Sequence, residues 1–227
     1  MNPRLRRNLL LGGKKFKSRY SFLFDGVDED ILIGTSSTLD FTTSFSISAW
    51  IYLTDLSHIN TIFFRSTSSP YKGYAFAVTT AGKPNMLVEG GSANGITTSS
   101  TVLLVNTWYH LGCTKSSGAA PKFYVNGTET AYDVTGTLNP TTNGSDARIG
   151  GTGSIDGWTG RQFEGNEDEV GIFNTELLAS QMSEIYSNGK PKNLLNHSSL
   201  NNLVSYWRMG DKSTWDGTNW TLVDQKG

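Results

Sequence analysis

The 227-residue sequence predicts an all-β protein, two antiparallel sheets packed face to face. Three features carry that reading. Short aromatic and β-branched runs with a period of two begin at Tyr20 and continue almost to the end. Between them lie clusters of Gly, Pro, Asn, Asp and Ser, which favour tight or positive-φ backbone. A single stretch, near residue 180, has the spacing of a helix.

The chain opens on a basic arm, residues 1–19. Residues 1–20 hold Arg4, Arg6, Arg7, Lys14, Lys15, Lys17 and Arg19 and no acid, a charge of +7. The whole chain carries −1, so the remainder carries −8. "NLLLGG" is too short for the apolar centre of a secretion signal, and lysines follow at once. Such an arm suits docking on an acidic neighbouring protein and ordering on assembly. Arg4, Arg6, Arg7, Lys14 and Lys15 would supply charge, and Leu5, Leu9 and Leu10 apolar anchors. A disordered tail is the alternative. Nucleic acid fits less well: seven cations can neutralise phosphates, but only Phe16 and Tyr20 are interleaved for base stacking.

The β domain is read over residues 20–210, with about twelve strands. In "FSISAWIYL", Phe45, Ile47, Ala49, Ile51 and Leu53 take one face and Ser46, Ser48, Trp50 and Tyr52 the other. One aliphatic face and one polar-aromatic face is the pattern of a sandwich strand. "TWYHLGCT" holds the only cysteine, Cys113, which excludes an internal disulfide and reads as a small buried hydrophobe. Asn126-Gly127 in "KFYVNGTE" predicts a type I′ hairpin, because both residues tolerate positive φ.

"FEGNEDEVGIFN" packs Glu164, Glu167, Asp168 and Glu169 into six positions. They are expected to fill the turn and first residues of a strand that Val170, Ile172 and Phe173 anchor. Strict alternation puts Glu167 and Glu169 on one face and Asp168, Val170 and Ile172 on the other. The helix follows. Leu178, Met182, Ile185 and Tyr186 recur at helical spacing, Thr175 or Ser180 would cap it, and Gly189 would end it. It is expected to plug one end of the sandwich. Residues 211–227 form a polar tail, whose Trp215 and Trp220 are too apolar for a free coil.

No window approaches 18 apolar residues, so no membrane span is expected. Charged residues make up 17% of the chain, below the roughly 25% usual for soluble domains. A neutral polar surface of that kind suits an extracellular or particle-borne protein.

In this order, "FLFDGVDEDILIG", "FSISAWIYL", "TWYHLGCT", "KFYVNGTE", "ARIGG", "FEGNEDEVGIFNTELLASQMSEIYSNG" and "LVSYWRMGD" resemble the laminin-G-like, concanavalin A-like jelly-roll superfamily. The closing part, "SYWRMGD…LVDQKG", looks more like the versions encoded by phages of aquatic bacteria. The resemblance implies a jelly roll with first and last strands side by side, and a virion protein: a head decoration, tail or fibre component. It would attach through its arm to other virion proteins; a homo-oligomer is left open. A free extracellular lectin is the alternative.

The resemblance also frames the candidate sites. Glucanases of this fold place acids as E-x-D-x-E on one face, a pattern absent here, so no catalytic residue and no enzyme activity is expected. His58, His110 and His197 are scattered, with no clear nucleophile beside them. Relatives hold calcium between the loop after the first strand and the strand before the helix. In this sequence that implies Asp25, Asp28 and Asp30 with Glu167 and Asp168 as calcium ligands, or the same acids as solvated rim charges. For a host-surface glycan, Trp158 and Tyr71 lie in predicted loops, where a ring can stack on a sugar's C–H face.

Overall fold

The computed structural model describes residues 4–7, 18–68, 70–91, 94–133, 136–142, 144–153, 160–217 and 220–227, with backbone alone for 4–7, 68 and 94. In chain order the strands are β1 (Arg4–Arg7), β2 (Tyr20–Asp25), β3 (Ile31–Gly34), β4 (Phe45–Leu53), β5 (Asn60–Ser68) and β6 (Tyr71–Val78). Next come β7 (Pro84–Gly91), β8 (Asn94–Ser99), β9 (Trp108–Lys115), β10 (Lys122–Val125), β11 (Thr128–Thr130) and β12 (Tyr132–Asp133). The last are β13 (Ala147–Ile149), β14 (Glu164–Phe173), β15 (Leu203–Trp207), β16 (Thr214–Trp215) and β17 (Trp220–Thr221); α1 (Ala179–Tyr186) follows β14.

Two antiparallel sheets form a jelly-roll sandwich. The first runs β1-β2-β14-β4-β9-β10-β11, with β15 also on β14; the second runs β12-β8-β7-β6-β5-β13-β3. Alternation supplies the core. Phe22, Phe45, Ile47, Ala49, Ile51, Leu53, Leu111, Cys113 and Phe123 face inward from the first sheet. Phe63, Tyr74, Phe76, Met86, Val88 and Ile149 meet them from the second. Each fully buried large side chain contributes roughly 1.5–3 kcal/mol, so this shared interior holds the layers together. The aliphatic face read in "FSISAWIYL" is the core face, and Asn126 and Gly127 take φ of 51° and 74° between β10 and β11.

The ends of the fold differ from the expectation in an informative way. β2 and β15 do not pair with each other. They lie along one side of β14, β2 on Glu164–Glu167 and β15 on Val170–Phe173. β14 has ten residues, long enough to receive both in succession. β1 pairs with β2, from Arg4 opposite Leu23 to Arg7 opposite Tyr20. This stretch of the arm, expected to dock on another protein, therefore adds an outer strand to the chain's own sheet.

The helix does not plug an end; it covers the outer face of the first sheet. Met182 and Ile185 pack with Tyr124, Phe173, Leu194, Leu203 and Tyr206 in a second apolar cluster. Gly112 makes the approach close, since a Cβ there would lie 2.7 Å from Met182 Sδ. The cap is neither Thr175 nor Ser180. Leu178 is the N-cap, and Gln181 Oε1 accepts from its backbone N–H at 2.8 Å. The tail packs back: β16 and β17 pair, Gln225 N donates to Tyr206 O, and Trp220 meets Phe22 edge-on at 6.1 Å.

Candidate functional site

The acids of β14 are not a solvated lip. Glu167, Asp168 and Glu169 are all buried in the strand. Glu167 stands opposite Phe22 on one side and Ile51 on the other, both core residues, so its side chain enters the sandwich interior. Both its carboxyl oxygens lack a hydrogen-bond partner among the described residues. Burial pushes its pKa well above the usual carboxylate range.

Asp168 stands opposite Trp50 on the outer face. Glu169 then takes φ 53°, and the register with β4 shifts between Asp168 and Gly171. This is a β-bulge: two successive residues share one side, and alternation restarts a residue late. Asp168 and Glu169 thus both point outward, while Val170 and Ile172 return to the core face of Glu167. Strict alternation had paired Glu167 with Glu169 and Asp168 with Val170; the bulge reverses both assignments.

The outward pair is tied to the chain ends. Asp168 accepts from Ser18 Oγ and, at 3.1 Å, from Met209 N. Glu169 Oε2 accepts from the Tyr206 hydroxyl, and Arg208 Nε lies 3.5 Å from Oε1. Burial, then the charge of Glu169, raises the Asp168 pKa. Burial pushes Glu169 up to about 7, against the opposing pull of Tyr206 and Arg208.

The five carboxylates suggested for calcium do not converge. Glu167 faces inward and Asp168 outward. Asp30 is paired with Arg148 at 2.6 Å, and Asp25 Oδ1 accepts from Val27 N inside its own turn. Asp28 is exposed. A calcium ion using these five as one ligand set does not fit this arrangement.

Two histidines meet hydroxyls: His58 Nδ1 lies 3.3 Å from Oγ of its exposed neighbour Ser57, and His110 meets a buried one. His110 Nε2 lies 2.9 Å from Ser48 Oγ, both buried beneath α1 beside Trp50 and Tyr186. Burial lowers the His110 pKa to about 3, so the ring is neutral. Its Nδ1 has no hydrogen-bond partner among the described residues, so no acid orients it as a catalytic triad needs.

An open cleft of about 850 Å³ is built where the tail crosses the sandwich edge. Phe22 and Trp207 floor it, Trp215 and Trp220 wall it, and Ser36, Thr38, Asp30 and Asp224 bring polar groups. Trp215 is 40% exposed and lies 5.4 Å from Trp220, ring centre to ring centre. Asp224 is fixed by accepting from Tyr206 N and Lys226 N, both at 2.9 Å. The sequence flagged both tail tryptophans as needing a surface; it gave no sign that they would line a cleft.

Of the two rings suggested for sugar contact, Trp158 lies outside the described residues. Tyr71 is 46% exposed on the outer face of the second sheet. Its neighbours on that face include Glu89, which is buried and accepts from Ser66 Oγ, with the charge of Arg161 beside it. Leu9, Leu10, Lys14 and Lys15 of the proposed docking arm also lie outside the described residues. Arg4, Leu5, Arg6 and Arg7 form β1.

Comparison with known proteins adds the following. A family model for the concanavalin A-like lectin/glucanases superfamily matches residues 25–183. No curated protein matches the sequence at a significant level. Among solved structures, a Bacteroides ovatus protein proposed to bind carbohydrate is 19% identical with a TM-score of 0.61. The match covers 87% of this chain, which spans 58% of the Bacteroides protein. Domain 4 of a Geobacillus stearothermophilus GH43 arabinanase, in complex with arabinotriose, is 17% identical, covers 82% of each chain and has a TM-score of 0.56. A Ruminococcus gnavus sialidase CBM40 bound to α2,3-sialyllactose is 14% identical, covers 70% of this chain and 97% of its own, and has a TM-score of 0.55. At these identities the likeness is one of fold.

Proposed function

This chain belongs to the concanavalin A-like lectin/glucanase superfamily, and from that premise we propose that it is a glycan-binding module that holds sugar without cleaving it. The observation that carries the reading is the tryptophan-lined cleft. A pyranose ring offers an apolar C–H face and a rim of hydroxyls; Trp215 offers a half-exposed ring, with Asp30, Asp224, Ser36 and Thr38 in the same cavity. The inward and outward division of the β14 acids supports binding over hydrolysis, because a retaining glycosidase needs two carboxyls ~5 Å apart across one accessible bond. Solved neighbours that carry arabinotriose and sialyllactose lend the fold precedent.

The module is carried on a virion, as a head decoration, tail or fibre component. Support comes from the basic N-terminal segment, and from β1 as the outermost strand of its sheet among the described residues. An outer strand has one side open for strand addition to a neighbour.

A glycan array tests the binding reading. The full chain is expected to be retained on at least one glycan class, and Trp215→Ala to lose about tenfold or more in affinity, while Tyr71→Ala binds like the parent. Loss in Tyr71→Ala alone would move the site to the second sheet. No retention on any glycan would overturn the reading. Removal of residues 1–19 is expected to release the protein from particles.

A further inference from the structure

Asp55, His58 and Glu164 meet at the rim of the first sheet, away from the cleft. Asp55 and His58 follow β4, Glu164 opens β14, and one ligand atom from each lies within 4.8 Å of the others. The imidazole is already set. His58 Nε2 lies 2.9 Å from the Gln162 carbonyl oxygen. A carbonyl oxygen only accepts, so Nε2 is the N–H donor, and Nδ1 is the nitrogen that can offer a lone pair to an ion. That lone pair faces Asp55 Oδ2 at 3.4 Å. Ser57 Oγ also lies 3.3 Å from Nδ1, but its hydroxyl donates to Asp55 Oδ2, which leaves the Nδ1 lone pair beside the carboxylate for a metal ion. Metal-ligating histidines are oriented in this way, the second ring N–H held by a backbone carbonyl.

The frame stands independently of any ion. Asn60 is buried, and its Nδ2 donates to the carbonyl oxygens of Asp55 at 3.1 Å and His58 at 3.2 Å. Its Oδ1 accepts from Glu164 N at 2.8 Å. One amide thus clamps both ligand-bearing segments. Ser57 N donates to Asp55 Oδ2 at 2.6 Å and fixes that carboxylate. Asp55, His58 and Glu164 are each partly exposed, so an ion has a path from solvent.

We propose that Asp55, His58 and Glu164 bind a divalent transition ion of the zinc class, through His58 Nδ1 and one oxygen of each acid, with the remaining position left to water. One nitrogen and two oxygens suit zinc, which takes four ligands. Calcium, which takes six to eight oxygens, is poorly served by this trio.

Two measurements on the full chain test the site: thermal unfolding with ZnCl2 or CaCl2, and the visible spectrum on adding Co2+. Zinc is expected to raise the melting temperature, reversibly on adding chelator and more than equal calcium does. Co2+ is expected to give a ligand-field band that zinc abolishes. His58→Ala is expected to weaken zinc binding about tenfold or more and to erase the cobalt band. Asp55→Asn with Glu164→Gln provides a second variant that keeps the His58–Gln162 hydrogen bond, with the same losses expected. The proposal falls if zinc leaves the parent's melting temperature unchanged, if calcium matches zinc, or if both variants bind zinc like the parent.

Discussion

Glu167 and Glu169, two positions apart on one strand, face opposite sides of the sheet. Glu167 enters the core between Phe22 and Ile51, whereas Glu169 meets the Tyr206 hydroxyl outside it. The bulge at Glu169 separates them, and it turns what reads as an acidic patch into two different structural elements. The outward pair ties Ser18, Tyr206 and Met209 to the middle of the sheet, while the inward acid has no hydrogen-bond partner among the described residues.

Replacing the inward acid is expected to stabilise the fold. A buried polar group without a partner costs about 1–3 kcal/mol, and a leucine of similar volume fits apolar surroundings. Glu167→Leu should raise the unfolding free energy by about that amount in urea melts. An equal loss of stability would mean that Glu167 has a partner in solution.

The same two acids set a pH dependence. Burial raises the folded-state pKa of Glu169 from 4.5 to about 7, and that of Glu167 also lies well above 4.5. Groups shifted this way favour the folded state fully below about pH 4.5, and that contribution is lost as the pH rises through the folded pKa. Stability attributable to Glu169 should therefore fall between about pH 4.5 and 7, and that attributable to Glu167 should fall as the pH rises above about 4.5. Tyr206→Phe removes a hydrogen bond to the charged carboxylate, so it should move the Glu169 midpoint above 7 in a carboxyl NMR titration. It should also cost about 1.5–3 kcal/mol at pH 8 and less at pH 5.

Gly127 serves the hairpin and the helix together. Its φ is 74°, and a Cβ there would lie 2.9 Å from Tyr186 Cβ and 3.1 Å from Ser183 Cα. Gly127→Ala should destabilise by more than about 1 kcal/mol, since it strains the turn and pushes on α1. A melting temperature equal to the parent's would show that the helix is free to shift.

Much of this was legible in the sequence, where local chemistry decides. The core face of β4, the Asn126-Gly127 turn and the buried Cys113 follow from alternation and residue type. What escaped was set by tertiary structure. A period-two reading cannot locate a bulge at a glutamate, because Glu169 has no intrinsic preference for positive φ; its neighbours hold it there. Leu178 as N-cap was hidden for a related reason: the capping interaction comes from Gln181, three residues on. Trp215 and Trp220 announced that they would pack, but the cleft needs β2 and β15, distant in sequence. Asp55, His58 and Glu164 are joined through Asn60, a contact that no spacing along the chain reveals.

The binding claim is tested most directly by the indole N–H signals of the six tryptophans, followed by NMR as a retained glycan is titrated. The account expects the Trp215 and Trp220 signals to shift with saturation, with those of Trp50 and Trp108 unmoved. Saturable binding that leaves Trp215 and Trp220 unchanged would contradict it.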